Sequence, residues 1–148
     1  MILMLYTNLF GRRQRPRSNP QRISIPIEYR GADPMHVEVR KADDVIVVDL
    51  NGDLIAGATG DELLRAVMNE LVAESWRKIL LNLSEVGRID SAGIGELVAS
   101  IRMAEKLGTE VKLINLHGKV REILELGQIL PLLDIYESEE AAMAAFTD

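Results

Sequence analysis

Few side chains in this sequence are equipped for chemistry, and one short stretch concentrates the interest. Cysteine is absent, which excludes a disulfide framework, a thiolate zinc site and a cysteine nucleophile. His36 and His117 are the two histidines, too few for a histidine-rich metal site, and neither a metal ligand set nor a cofactor is assigned. The stretch is Ile89-Asp90-Ser91-Ala92-Gly93-Ile94-Gly95-Glu96. Ser91 stands between a buried apolar run and an amphipathic one, at the opening of a helix. A hydroxyl there can cap free amides, and the helix dipole favours negative charge nearby. Gly93 and Gly95 leave the backbone open to close approach. Each costs about 1 kcal/mol of helix propensity relative to Ala, so two in one turn point to docking or tight packing. On local chemistry Ser91 reads first as a cap. The dipole argument makes a phosphate tolerable at Ser91 without requiring that a kinase act there.

Enzymatic alternatives fail on particular positions. A serine hydrolase of the Gly-x-Ser-x-Gly type needs glycine where Ile89 stands, and His117, the one available base, reads as the opening of a short helix. A dinucleotide site needs a third small residue where Val98 lies and an acid where Asn115 lies. No Walker lysine follows a glycine loop. The chain is therefore expected not to be an enzyme.

The elements that must position Ser91 follow from periodicity. His36–Arg40 alternates as a half-buried strand, Asp43-Asp44 turns, and Val45–Leu50 is an almost unbroken apolar run that suits a strand covered on both faces. Asn51-Gly52-Asp53 reads as its end. Thr59-Gly60-Asp61-Glu62 fits a capping box before a helix with Leu63, Leu64, Val67, Leu71 and Val72 on one stripe. Lys78–Leu83 is the next strand, with Ser84–Asp90 as a loop. A helix spans about Ala92–Leu107, with Ile94, Leu97, Val98, Ile101 and Ala104 inward and Gly108 as its stop. Val111–Ile114 is a strand, His117–Leu126 a short helix, Leu132–Tyr136 a last strand, and Ser138 caps a final helix through Phe146. Trp76 reads as a cap on the core. Leu124, Leu126, Ile129 and Leu130 read as core, with an interface as the alternative. Strands alternating with helices predict an α/β fold, with a largely parallel or mixed sheet.

Charge divides the 148 residues. Residues 1–34 carry six Arg against Glu28 and Asp33, a balance of +4, while residues 35–148 balance at −10. The acidic domain disfavours nucleic acid. Residues 1–34 hold four of the five prolines and no sustained period. They read as a poorly ordered extension, or as an upstream start that the cell does not use before Met35. Met1–Phe10 is about half of the ~20 residues a membrane span needs, and its basic residues follow the apolar run, unlike a signal peptide. No stable membrane insertion is expected, and the expected location is cytoplasmic.

Residues 36–146 resemble the STAS domain family, and especially the stand-alone anti-sigma-factor antagonists of bacteria. The resemblance is carried by Val45–Leu54, by Ile79–Val86 and above all by Ile89–Gly95. It implies a STAS-like mixed β-sheet of four to five strands with about four α-helices, occupying residues 35–148. It also implies that Ser91 is the phosphoacceptor of an anti-sigma factor that doubles as a serine/threonine kinase. The unphosphorylated chain would bind that partner through Asp90, Ser91, Ala92, Gly93, Ile94, Gly95 and Glu96, freeing a sigma factor for transcription. A phosphatase would reverse the modification. The other role the resemblance admits is a structural STAS subunit of a membrane lipid or anion transporter. Three positions depart from the pattern. Ala92 replaces a second hydroxyl, which leaves Ser91 the sole acceptor in its motif. Asn82 stands where an acid is common, and Thr59 does not align with a second phosphorylated threonine of related proteins.

Overall fold

The run Val45–Val48 is buried at every position, and the fold explains how one strand can have two apolar sides. The computed structural model describes residues 22–26, 35–56 and 60–147. Strand β2 (His36–Ala42) alternates as predicted, with Val37 and Val39 buried. Asp43, at φ 54°, takes the left-handed turn into β3 (Val45–Leu54), a conformation that a short polar side chain tolerates. The strands β4 (Lys78–Ile89), β5 (Glu110–Ile114) and β6 (Ile135–Tyr136) follow. Neighbours in the sheet are neighbours in sequence: β2 and β3 pair antiparallel, and β3, β4, β5 and β6 pair parallel. The sheet is mixed, as expected.

The parallel pairs require crossovers, and helices supply them. α1 (Gly60–Ala73), α2 (Ser91–Lys106) and α3 (Gly118–Leu126) share one core with the sheet. Leu63, Leu64, Val67, Met68 and Leu71 of α1 and Leu97, Ile101 and Ala104 of α2 meet Ile46, Val48, Leu50, Ile79, Leu81 and Leu83 there. A separate cluster joins Val45, Val47, Leu80 and Ile114 to Ala142 and Phe146, at α4 (Glu139–Ala145). That second cluster is why β3 and β4 lack polar alternation. Arg40 fastens α4 in place, donating to Asp49 at 2.8 Å and to Glu139 at 2.6 Å and 3.0 Å. Trp76 packs against the main core, as do Leu124, Ile129 and Leu130, whereas Leu126 is exposed.

The structure differs from the sequence reading in several places. Segment 22–26, read as part of an extension, forms strand β1 (Arg22–Pro26), whose backbone pairs antiparallel with β2. Its alternation spans too few residues, among too many prolines, to show as a period, and Pro26 is tolerable because β1 is an edge. β2–β6 are the five strands expected within residues 35–148, and β1 adds a sixth among the described residues. β3 runs past Asn51-Gly52-Asp53 and β4 past Ser84, because the two keep pairing as far as Leu54 with Ile89. Irregular register between Asp49 and Leu54 accommodates the polar residues that had suggested a turn and a loop. A 3₁₀ turn at Leu130–Leu132 shortens β6 to two residues. The Thr59 cap lies outside the described residues.

Candidate functional site

All of the residues singled out around Ser91 lie where β4 ends and α2 begins. Ile89 is buried and paired with Leu54, so the ends of β3 and β4 lie side by side. Asp90 follows in extended backbone (φ −117°, ψ −176°) and is the N-cap of α2. Its Oδ1 accepts from the Gly93 amide at 2.9 Å, and its Oδ2 accepts from the Ala56 amide at 2.9 Å. These two amides, Ala56 first and Gly93 second, hold the Asp90 carboxyl below the ordinary carboxylate range. The cap is therefore Asp90 and not Ser91, a correction of one residue. Both types cap well, and adjacent candidates cannot be ranked by type. Ser91 becomes the first helical residue, with an exposed side chain relieved of capping.

The two glycines part company. A Cβ on Gly93 would lie 1.9 Å from the Leu54 carbonyl oxygen and 2.8 Å from its carbon. Gly93 is thus the point where α2 touches the backbone of β3. A Cβ on Gly95 would meet nothing within 4 Å. Tight packing explains the first glycine. The second leaves an open patch one turn beyond Ser91. Ala92 and Ile94 are half-buried, and Ile94 packs against the core. Glu96 is held by Arg65 of α1, whose Nε donates to Oε2 at 2.8 Å and whose Nη2 donates to Oε1. The Ala56 contact and the Arg65–Glu96 pair were not legible in the sequence, since each joins segments more than thirty residues apart.

The Nε2 of His117 is engaged with the Ser84 carbonyl oxygen at 2.8 Å. Among the described residues no group of His, Asp or Glu is arranged to hold a metal ion. A polar cleft of about 430 Å³ lies between β2, β3 and β4, lined in part by His36, Arg40, Asp49, Asn82 and Ser84. Within that lining Arg40 donates to Asp49 and Asn82 donates to Asp49, while Asn115 outside it donates to Asn82. No described helix is long and apolar enough to cross a membrane. What the site offers is an exposed hydroxyl on a rigid helix start, beside bare backbone.

Comparison with known proteins bears on the family and the fold. The family model for the STAS domain matches residues 36–142. The chain is similar to BtrV of Bordetella bronchiseptica, named as a candidate anti-sigma factor antagonist, at 28% identity over 76% of this chain and 95% of that protein. It is similar to the anti-sigma-B factor antagonist of Bacillus subtilis at 25% identity, over 74% of this chain and 97% of that one. Among solved structures, an anti-sigma factor antagonist from Mycobacterium paratuberculosis shares the fold with a TM-score of 0.67. It is 24% identical, with 77% of this chain and 95% of that chain covered.

Proposed function

Because the chain belongs to the STAS domain family, we propose that it is an anti-sigma-factor antagonist switched by phosphorylation of Ser91. The observation that carries this reading is the exposed Ser91 side chain at the first position of α2, left free because Asp90 does the capping. Relatives named as anti-sigma factor antagonists support the role. The unphosphorylated chain binds an anti-sigma factor that is also a serine/threonine kinase. That kinase transfers the terminal phosphoryl group of ATP to the Ser91 oxygen, which gives up its proton as ADP leaves. A phosphatase restores the hydroxyl.

The electrostatics suit a switch. A phosphoryl group adds roughly −1.5 to −2 charge at a helix start, which the dipole of α2 tolerates in the free protein. In a complex the same charge must be desolvated against the partner and beside the ionised Asp90. The larger part of the penalty therefore falls on binding. Ser91→Asp is expected to weaken binding of the anti-sigma factor about tenfold or more, roughly 1.4 kcal/mol. Ser91→Ala is expected to bind constitutively. Incubation with cell lysate and ATP should place phosphate at Ser91 by mass spectrometry and none on the Ser91→Ala chain. Equal affinity of wild type and both variants for the cognate partner would overturn the proposal.

A further inference from the structure

Asp90 does more than a helix cap requires. Serine and asparagine cap about as well as aspartate, and a cap needs one acceptor. Asp90 uses both carboxylate oxygens on different parts of the chain: Oδ1 on the Gly93 amide of α2, and Oδ2 on the Ala56 amide just beyond β3. Its own amide approaches the Leu54 carbonyl at 3.4 Å, and Gly93 abuts that same carbonyl. Leu54–Ala56 and Asp90–Gly93 are thereby held as one unit across 34 residues of sequence. Asparagine could not reproduce this, since its single acceptor oxygen would leave an NH₂ group facing an N–H. Serine has one short hydroxyl arm, enough for the helix alone. Ala56 and Ser91 are both exposed beside the clamp, and Ile55 is half-buried.

We propose that Asp90 is a positioning residue that couples the charge on Ser91 to the Leu54–Ala56 segment, so that negative charge at Ser91 loosens the hold on the Ala56 amide. The inference rests on the reading that Ser91 is the switched residue, and it adds what the switch moves. Two anions at one helix start repel each other and compete for the same first-turn amides. The Gly93 bond lies within the turn that the dipole favours. The Ala56 bond is the one outside the helix, and it is the one released. A partner that docks on both segments then loses a composed surface as well as a bare hydroxyl.

The test reads water-exchange rates of the Ala56 and Gly93 amides by NMR on the full chain, without kinase or partner. Ser91→Asp is expected to speed Ala56 exchange several-fold and leave Gly93 within about twofold. Asp90→Ser is expected to speed Ala56 about tenfold while Gly93 stays protected, as befits loss of a bond to a charged acceptor with the cap retained. In the Asp90→Ser background, adding Ser91→Asp should change Ala56 by less than twofold, because the coupling residue is gone. A purely structural Asp90 would not abolish that response. An Ala56 rate unmoved by Ser91→Asp overturns the proposal, and so does an equal response with and without Asp90. Should Asp90→Ser not fold, Asp90→Asn takes its place, and the Ser91→Asp measurement in the wild-type background decides by itself. If Ser91 proves never to be phosphorylated, these rates are unaffected, so the two readings fail separately.

Discussion

Replacing each glycine of α2 by alanine should move stability in opposite directions. At Gly95 the new methyl meets nothing within 4 Å, so the helix gains its ordinary propensity difference, about 0.5–1 kcal/mol. At Gly93 the same gain is available but the methyl would lie 1.9 Å from the Leu54 carbonyl oxygen. Both sides of that clash are backbone, one in a strand and one in a helix, so neither can swing aside. The helix must shift by more than an ångström, at an overpacking cost of about 1–3 kcal/mol, and it pulls Asp90 away from Ala56 as it moves. The lost charged hydrogen bond adds roughly 1.5 kcal/mol. The net expectation is about 1.5–4 kcal/mol of destabilisation at Gly93, against up to about 1 kcal/mol of stabilisation at Gly95. Urea unfolding followed by far-ultraviolet circular dichroism reads both. With a slope of about 1–3 kcal/mol per molar, the Gly95→Ala midpoint should rise by a few tenths of a molar and the Gly93→Ala midpoint should fall by roughly 1 M, at unchanged slope. A Gly93→Ala midpoint at or above wild type would refute the close-approach argument. A lowered Gly95→Ala midpoint would refute the open-surface one.

Other expectations are narrower. Gly95→Ala, although more stable, should bind the anti-sigma factor less tightly than wild type, read by calorimetry, since its methyl stands on the face next to Ser91. The Asp90 carboxyl is held below its ordinary pKa of about 3.9, so its contribution is complete above that value and fades as pH falls through the lowered folded value. Asp90→Ser should therefore lose less stability than wild type as pH falls below about 4, measured as urea midpoints. Arg40 bridges Asp49 and Glu139 with its side chain 24% exposed, so Arg40→Ala should cost about 1–3 kcal/mol, and Arg40→Lys should recover only part because it lacks the fork. A double-mutant cycle with Glu139→Gln checks whether the loss runs through α4.

Much of the architecture could be read from periodicity because each element repeats its own pattern locally. The continuous run Val45–Val48 announced a strand covered twice, and the two clusters on either side of the sheet are its reason. The ends of β3 and β4 were misjudged because Asn51, Gly52, Ser84 and Glu85 look like turn residues, while their pairing depends on a partner strand more than thirty residues away. That Ser91 and the paired glycines open a helix was legible, since they are a local signal. The identity of the cap was not. It is settled by the Leu54 carbonyl and the Ala56 amide, which belong to a different part of the sequence. The same distance hid the division of labour between Gly93 and Gly95, which are alike by type and differ only in what lies opposite them.

The order of the strands bears on how the chain can be built. Among the described residues every strand after the first lies beside the one made just before it, so during synthesis none of these must wait for a later strand in order to find a neighbour. The second face of the sheet is the exception. Val45, Val47, Leu80 and Ile114 pack with Ala142 and Phe146 from the C-terminal end of the described residues, and the Arg40–Glu139 contact spans 99 residues. Until residues 139–146 have been made, the sheet lacks the helix that packs on this apolar side. Docking of α4 is thus the step that buries the second face, after the strands it covers are already in place.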